Sequence, residues 1–280
     1  MTRSDVERLA RAYLLWAKTP GDPEVADLVA EHGPALAAEL VSVSSGQRWQ
    51  DDAEATVEQA HTRDLRLIVP GDEDWPAALS DAARPGPLGL WSRGRGRLDR
   101  LAAHAVGIVG SRQSTPYGGR AAAELGRGLS RGGWTVVTLG RFGVDGAALR
   151  GADQLDAPTV VLPLGRLVDP HPVGHRKLFT RLAYRGVLAG EHGSKRPGRY
   201  VDVSRQSELL GALVAAVVVI EPNSPGAAVA CVKAAHDAGR PVLAVPGPVD
   251  AGKSDYAHHL IRAGRARLVG GVEDVLAELG

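Results

Sequence analysis

Residues 105–139 read AVGIVGSRQSTPYGGRAAAELGRGLSRGGWTVVTL, and this stretch decides the fold class of the chain. It begins and ends with short, largely apolar runs, Ala105–Val109 and Trp134–Leu139, and helical spacing of apolar residues lies between them over residues 117–131. Strands that are apolar on both faces are typical of a parallel sheet covered by helices on each side. The stretch therefore predicts a β-α-β unit.

The same alternation continues to the end of the chain. We predict further strands over Thr159–Leu162, Gly186–Ala189, Ala215–Glu221, Val242–Val245 and Ala266–Val269. Helices are predicted between most of them, over residues 175–185, 204–213, 227–238 and 254–263. Together these elements indicate an α/β fold, an extended Rossmann-like doubly wound parallel sheet over residues 105–280.

The first 62 residues have a different pattern, with apolar residues at helical spacing and little strand signal. Breaks at residues 19–23 and at Gly33-Pro34 divide this segment, so it predicts a small helical domain that precedes the sheet. Residues 63–104 hold one predicted strand, Leu65–Val69, and a connector rich in proline and glycine. We interpret residues 63–104 as the connector and the start of the α/β domain.

Composition excludes several classes of protein. The chain has 280 residues, 44% hydrophobic and 23% charged, an ordinary balance for a globular protein. Its single cysteine, Cys231, excludes an internal disulfide framework and a cysteine-rich zinc site. The longest apolar run, Leu213–Ile220, has 8 residues, whereas a membrane-spanning helix needs about 20. We expect a cytoplasmic protein that has no membrane span, needs no cofactor and holds no metal.

Charge is distributed unevenly along the chain. Residues 1–90 contain 8 Lys/Arg and 16 Asp/Glu, a net charge of −8, and residues 91–280 contain 25 and 16, a net of +9. These two values sum to the whole-chain charge of +1. A basic surface attracts polyanions at long range, so the second part favours an anionic partner, although solvated surface arginines would give the same count.

The loops that follow the predicted strands carry the candidate binding residues, because ligands of such sheets bind at the carboxyl ends of strands. After the first strand, Gly110 permits a tight turn, Ser114 or Thr115 can cap the next helix, and Arg112 matches phosphate geometry. The second loop carries Thr138, Gly140 and Gly143, and the third carries Arg199 and leads to Arg205. Glycines and arginines at one edge of a sheet favour an elongated anionic ligand.

One motif supports an alternative, a small-nucleotide binder or an NTPase on the same fold. Residues 247–254, GPVDAGKS, match the phosphate-loop pattern, whose key residues here are Gly247, Gly252, Lys253 and Ser254. Glu221, at the end of a predicted strand, would then be the acidic metal partner. Pro248 argues against this alternative, because it removes one of the backbone N–H groups that cradle phosphate in such loops.

Several motifs, taken in order, resemble those of the DprA/Smf family of DNA-processing proteins. In chain order these motifs are Asp74-Trp75-Pro76, residues 88–94 (LGLWSRG), residues 106–112 (VGIVGSR), residues 115–118 (TPYG), residues 132–137 (GGWTVV), Gly143-Val144-Asp145, residues 150–152 (RGA), residues 241–247 (PVLAVPG), residues 260–264 (LIRAG) and residues 272–276 (VEDVL). The order of the motifs is more specific than any one of them.

The resemblance implies a binding protein rather than an enzyme. Members of the family have an extended Rossmann domain that binds single-stranded DNA, usually as a dimer, and they deliver the strand to the RecA recombinase, notably in natural transformation. Carried over by position, Gly110, Ser111 and Arg112 would hold backbone phosphates, Arg205 begins an arginine-asparagine-arginine motif and Arg199 lies near a basic position. The same resemblance implies a SAM/HhH-like domain over residues 1–62.

This chain departs from the family pattern at about half of the pocket positions. The family's asparagine and second arginine are Gln206 and Ser207, and a small Ser-Gly pair is Thr138-Leu139. A Ser-Gly-Ser segment is shortened around Gly226. Aromatic residues that could stack on bases are few, so we expect phosphate contacts to dominate any affinity for DNA; the candidates are Tyr117, Trp134, Phe142, Tyr184 and Tyr200.

Overall fold

The computed structural model describes residues 2–43, 48–80, 86–193, 203–222 and 226–280. The helices are α1 (Arg3–Ala17), α2 (Pro23–Ser42), α3 (Trp49–His61), α4 (Ala77–Ser80), α5 (Leu98–Ala103), α6 (Pro116–Arg131), α7 (Val144–Asp153), α8 (Arg176–Ala183), α9 (Val203–Leu213), α10 (Ala227–Asp237), α11 (Asp255–Arg262) and α12 (Val272–Leu279). The strands are β1 (Arg66–Ile68), β2 (Leu90–Gly94), β3 (Ala105–Gly110), β4 (Thr135–Thr138), β5 (Thr159–Val161), β6 (Leu164–Arg166), β7 (Asp169–His171), β8 (Val187–Gly190), β9 (Ala216–Ile220), β10 (Val242–Ala244) and β11 (Arg267–Leu268).

A nine-stranded sheet in the order β1-β2-β8-β5-β4-β3-β9-β10-β11 forms the body of the protein. From β8 to β11 every pair of neighbours is parallel, whereas β1 and β2 add an antiparallel edge. The chain moves outward from β3 through β4 and β5 to β8, and then returns to β9 on the other side of β3. The predicted fold class, a Rossmann-like doubly wound sheet, is confirmed.

Alternate residues of the central strands pack into separate cores on the two faces of the sheet. Val106 and Ile108 face the core under α6, α7 and α12, and Ala105 and Val109 face the core under α9, α10 and α11. All six residues of β3 are buried. Burial on both faces explains why the central strands β3, β4, β5 and β9 carry no charged residue.

The helical head, α1 to α3, packs against the body near the antiparallel edge. Ala12 and Leu15 of α1 share a buried cluster with Trp91 of β2. The Arg8 guanidinium forms a bidentate ion pair with Asp72, at 2.6 and 2.8 Å. Arg11 donates a hydrogen bond to the carbonyl of Leu88 at 2.8 Å. The head is therefore joined to the body by both apolar and polar contacts.

Some elements differ from the sequence-based expectation. The break predicted at Gly33-Pro34 is present, but it lies within the span of α2 as a kink at Gly33, whose φ of 79° and ψ of 164° are not helical. The segment Trp49–His61 lies within the predicted helical domain, where no separate helix was predicted, and forms helix α3. The strand β2 and its antiparallel pairing with β1 and β8 also had no counterpart in the prediction. Within the described ranges, no helix is both long and apolar enough to cross a bilayer.

Candidate functional site

The carboxyl edge of the sheet between β3 and β9 is the place where the chain reverses its direction of travel across the sheet. Crossover helices leave in opposite directions at such a point, so a crevice opens between the loops that follow the two strands. The loop after β3 carries Gly110, Ser111 and Arg112, and β9 is followed by Glu221. The predicted site residues after β3 are therefore at the position where ligands of this fold bind.

The carboxylate of Glu221 lies at the N-terminus of α6. It accepts a 2.8 Å hydrogen bond from the backbone N–H of Thr115 and a second bond from the Thr115 hydroxyl. The Thr115 hydroxyl also accepts a bond from the N–H of Gly118, so Thr115 caps the helix as predicted. The sequence predicts a phosphate at this helix N-terminus. The structure has the carboxylate of Glu221 there instead.

The residues of the loop after β3 have different exposures. Ser111 is buried, its hydroxyl accepts a bond from the N–H of Gln113, and its carbonyl accepts one from Val144. Gly110 is the last residue of β3 rather than part of a turn, and a Cβ there would lie 2.0 Å from the carbonyl oxygen of Ile220. Arg112 is exposed, and no described residue forms an ion pair with it. Of the three predicted phosphate residues, Arg112 is the one with an available side chain.

The loop after β4 is fixed by a buried ion pair. The guanidinium of Arg141 binds the carboxylate of Asp145 at 2.9 Å, and both side chains are at most 8% exposed. Arg141 also donates to the carbonyl of Gly110 at 3.2 Å, which connects this loop to the end of β3. Gly143 has a φ of 73°, and a Cβ there would lie 2.2 Å from the carbonyl oxygen of Ser111. Glycine at position 143 therefore allows the backbone of this loop to contact the loop after β3.

Thr138 and Gly140 shape the start of the same loop. The buried hydroxyl of Thr138 accepts a 2.9 Å bond from the N–H of Gly140. The carbonyl of Gly140 accepts a 2.9 Å bond from Nδ1 of the buried His175, which lies just before α8. The aromatic ring of Phe142 contacts His175 edge to face, with 4.7 Å between ring centroids, and Phe142 is 50% exposed.

Arg205, at the start of α9, is held by a carboxylate. Its guanidinium makes a bidentate ion pair with the buried Glu191, which follows β8, at 2.7 and 2.9 Å. The Arg205 side chain is 18% exposed and lies against Gly21 of the helical head. The structure therefore links Arg205 to the head and to the end of β8. Arg199, the other arginine of the predicted third loop, lies outside the described residues, as does Tyr200.

The segment that matches the phosphate-loop pattern has a different arrangement from a phosphate cradle. The N–H groups of Ala251 and Ser254 donate to carbonyls within the segment, and Gly252–Ser254 is a short 3₁₀ helix. Ser254 is buried, its hydroxyl 2.2 Å from where a Cβ of Gly247 would stand. Lys253 donates to the carbonyl of Gln113 in the loop after β3. Because the N–H groups of Ala251 and Ser254 and the ammonium of Lys253 donate to carbonyls of the protein, the geometry does not favour the NTPase alternative.

Gly226 is the residue before α10, on the β9 side of the crevice. No described side chain caps this helix N-terminus, and the N–H of Val229 bonds the carbonyl of Gly226 at 2.9 Å. An N-terminus of this kind carries partial positive charge and attracts anions. Gly226 thus lies at the same edge of the sheet as Arg112.

Glu221 is predicted from the sequence only as a metal partner in the NTPase alternative, and its contact with Thr115 is not predicted. The residue has a φ of 46°, so the chain turns sharply after β9 and brings the carboxylate to Thr115. Neither a motif nor a spacing indicates this contact, since the two residues are far apart in the chain. Clusters of three or more metal-ligating side chains are absent from the described residues.

Comparisons with known proteins agree with the fold and the motifs. The model of the family "DNA recombination-mediator protein A" matches residues 66–280. A putative DNA processing protein DprA of Mycobacterium tuberculosis is 37% identical over 292 residues, which cover 97% of this chain and 75% of that protein. The Smf protein of Escherichia coli is 28% identical over 215 residues, 76% of this chain and 56% of its own length.

Two solved structures share the fold. The X-ray structure of DprA from Streptococcus pneumoniae superposes with a TM-score of 0.77 and 23% identity, covering 98% of both chains. DprA from Helicobacter pylori, a structure reported for its single-stranded DNA binding mode, has a TM-score of 0.67 and 22% identity, covering 77% of this chain and 95% of that one. The resemblance inferred from the motifs is confirmed, and the chain belongs to the DNA recombination-mediator protein A family, the DprA/Smf proteins.

Proposed function

We propose that this protein binds single-stranded DNA along the carboxyl edge of its sheet and that it acts by binding, without catalysing a reaction. The observation that carries the proposal is Arg112, an exposed guanidinium beside the crevice with no carboxylate partner in the described part of the chain. An arginine without a protein partner keeps its five donors for a ligand, and their planar arrangement matches a phosphate. The Helicobacter pylori relative, studied for its binding of single-stranded DNA, supports the choice of ligand.

Further positive charge lies close to Arg112. The ammonium of Lys253 reaches the carbonyl of Gln113, the next residue after Arg112, and brings the loop after β10 to the crevice. The N-terminus of α10 at Gly226 adds a partial positive charge from the side of β9. Because these groups belong to loops after neighbouring strands, they suit a chain of phosphates better than a single small anion.

The other predicted residues support the site indirectly. Ser111, Thr138, Gly140 and Gly143 shape the two loops through hydrogen bonds and close backbone contacts. The charge of Arg205 is neutralised by Glu191, and its side chain has less surface available for a phosphate than that of Arg112. We therefore propose that, among the predicted residues, Arg112 makes the main direct contact with phosphate.

Two finer proposals follow from membership of a recombination-mediator family. We propose that the protein forms a homodimer and that it passes the bound strand to the RecA recombinase in the cytoplasm. A sedimentation measurement tests the dimer. The assembly of RecA on DNA that is first covered by a single-strand-binding protein tests the transfer, since a mediator shortens the lag before assembly.

The central proposal is tested with a fluorescent oligo-dT titrated across a series of salt concentrations. The Arg112→Ala variant is compared with the wild type and with Arg131→Ala, which removes an exposed arginine from the other end of α6. Each phosphate contact contributes about −0.7 to the slope of log affinity against log salt for single strands. We expect Arg112→Ala to lower the affinity about tenfold and to flatten the slope by about 0.7, while Arg131→Ala matches the wild type.

Two results would count against the proposal. Absence of binding by the wild type at low salt would remove single-stranded DNA as the ligand. Equal losses for Arg112→Ala and Arg131→Ala would show that general positive charge, and not the carboxyl edge, governs binding.

A further inference from the structure

Phe142 is an exposed aromatic residue beside the candidate site. It lies in the loop after β4, between the buried Arg141 and Gly143, and half of its surface is open to solvent. The loop belongs to the carboxyl edge of the sheet, the same edge as Arg112. The exposed half of a large apolar ring adds little hydrophobic stabilisation, so the stability of the fold does not by itself explain a phenylalanine at this position.

The ring of Phe142 is held in one orientation by its neighbours. The imidazole of His175 packs against it at a centroid distance of 4.7 Å and an interplanar angle of 68°. His175 is itself fixed, because its Nδ1–H donates to the carbonyl of Gly140 and its ring meets that of Phe179 at 5.8 Å. On the same side, a Cβ at Gly174 would lie 3.0 Å from Cζ of Phe142. A ring held in this way loses little conformational entropy when a ligand contacts it.

The loop that carries the ring is also rigid and is joined to the Arg112 loop. The Arg141–Asp145 ion pair fixes its backbone, and the N–H of Val144 donates to the carbonyl of Ser111 at 3.0 Å. A Cβ at Gly143 would lie 2.6 Å from the carbonyl carbon of Arg112, so the two backbones are in direct contact. The exposed ring and the exposed guanidinium are thus carried by two segments that touch.

We infer that Phe142 is a stacking platform for an unpaired base of the strand whose phosphate Arg112 binds, an inference that rests on the proposed function. Every base has an aromatic face, so stacking on a phenyl ring tolerates any sequence. In a duplex these faces are covered by neighbouring base pairs. The pairing of a rigid ring with a phosphate-binding arginine therefore selects single strands over duplex DNA, which phosphate contacts alone do not.

The other exposed aromatic residues in the described ranges are less suited to this role. Tyr184 precedes β8 and so lies at the opposite, amino edge of the sheet, where the guanidinium of Arg95 covers its ring at 3.9 Å. The hydroxyl of Tyr117 is bound to the carbonyl of Pro246 at 2.7 Å. The scarcity of aromatic residues predicts that phosphate contacts dominate the affinity for DNA. Phe142 is the aromatic residue whose position suits an additional contact with a base.

The experiment compares two ligands that have the same number of phosphates. One is oligo-dT, and the other is an oligonucleotide of equal length in which abasic spacers replace the nucleosides. We expect the wild type to bind oligo-dT about tenfold more tightly than the spacer strand, and Phe142→Ala to lose most of this difference while its salt slope stays unchanged. Phe142→Trp should preserve the preference, and Tyr184→Ala, the matched control at the other edge, should behave as the wild type does.

The inference and the proposed function fail in different ways. Wild-type protein that binds oligo-dT and the spacer strand equally, or a Phe142→Ala variant that keeps the full preference, would overturn the stacking role alone. A wild type that binds neither strand at low salt would overturn the proposed function and the inference with it. Thermal melting of each variant accompanies the titrations, to show that the Phe142→Ala protein is folded when its binding is compared with that of the wild type.

Discussion

The carboxylate of Glu221, at the end of β9, accepts both the backbone N–H and the hydroxyl of Thr115, at the N-terminus of α6. This contact joins the two strands on either side of the point where the chain reverses across the sheet. It also places a negative charge where many proteins of this fold bind a phosphate. A strand of DNA that passes over Arg112 must therefore accommodate a nearby carboxylate.

Replacement of Glu221 by glutamine should strengthen DNA binding. The amide oxygen of glutamine can still accept the N–H of Thr115, but the negative charge is gone, so its repulsion of phosphate disappears. We expect the affinity for oligo-dT at low salt to rise about threefold, and the gain to shrink as salt screens the charge. Fluorescence anisotropy at several salt concentrations measures the effect.

The control for this prediction is Glu124→Gln, which removes an exposed carboxylate from the middle of α6. It should leave the affinity close to that of the wild type. If both variants bind more tightly to the same extent, then the net charge of the protein explains the gain, and the position of Glu221 does not.

The buried pair Arg141–Asp145 should be the most costly ion pair in the site to break. An Asp145→Asn substitution leaves the guanidinium of Arg141 buried without its countercharge, a change that typically costs about 3–5 kcal/mol in the free energy of unfolding. The loop that carries Phe142 would lose its anchor at the same time. Urea denaturation of the variant and the wild type measures the difference.

A second substitution in α7 shows how much of this loss of stability is due to the burial of the ion pair. Asp153, at the end of α7, pairs with Arg181, whose side chain is 53% exposed. Asp153→Asn should cost about 1 kcal/mol or less, because water solvates the arginine that remains. Similar losses for Asp145→Asn and Asp153→Asn would contradict the role given to burial.

Much of the fold is predictable from the sequence because the central strands are buried on both faces. Continuous apolar runs such as Leu213–Ile220, which contains β9, are typical of strands in a parallel sheet covered on both faces. The antiparallel edge could not be predicted in the same way. The segment of β2 includes Ser92 and Arg93, and its place is set by pairing with β8, which lies almost one hundred residues later.

The site is predictable only in part, because local patterns do not show long-range contacts. Glycine and arginine after β3 and β4 lie at the carboxyl edge of the sheet, where the sequence pattern predicts them, and Arg112 is exposed there. The partners of Thr115 and Arg205 depend on tertiary structure, since Glu221 and Glu191 come from other strands. A carboxylate at the end of a strand gives no local sign that it caps a distant helix.

The ion pair between Arg8 and Asp72 should make the attachment of the helical head sensitive to acid. Burial alone would raise the pKa of the Asp72 carboxyl, but hydrogen bonds from Arg8 and from the N–H of Val69 outweigh it and hold that pKa below its usual value. A lowered pKa in the folded state contributes stability that is present above the ordinary pKa and is lost as the pH falls through the lowered one. We expect the wild type to lose this contribution below about pH 4.

Asp72→Asn should remove that part of the pH dependence and lower stability by about 1 kcal/mol at neutral pH. Its matched control is Glu7→Gln, which breaks the exposed pair of Glu7 with Arg3 on α1 and should change little. Thermal melts between pH 3 and 7 record both variants. A wild type and an Asp72→Asn variant whose melting temperatures differ by the same amount at every pH would contradict the assignment.

Cys231 should be unreactive in the folded protein. It is fully buried in α10, and this burial, together with the nearby carboxylate of Asp145, raises the pKa of its thiol far above the usual value. The thiolate is the reactive form, so an aromatic disulfide reagent at pH 8 should label the native chain at least about a thousandfold more slowly than the chain in urea. The labelling rate then measures how often the core around α10 opens. The Cys231→Ala variant is the control, and it should show no labelling. Equal labelling rates in buffer and in urea would show that α10 does not seal the thiol from solvent.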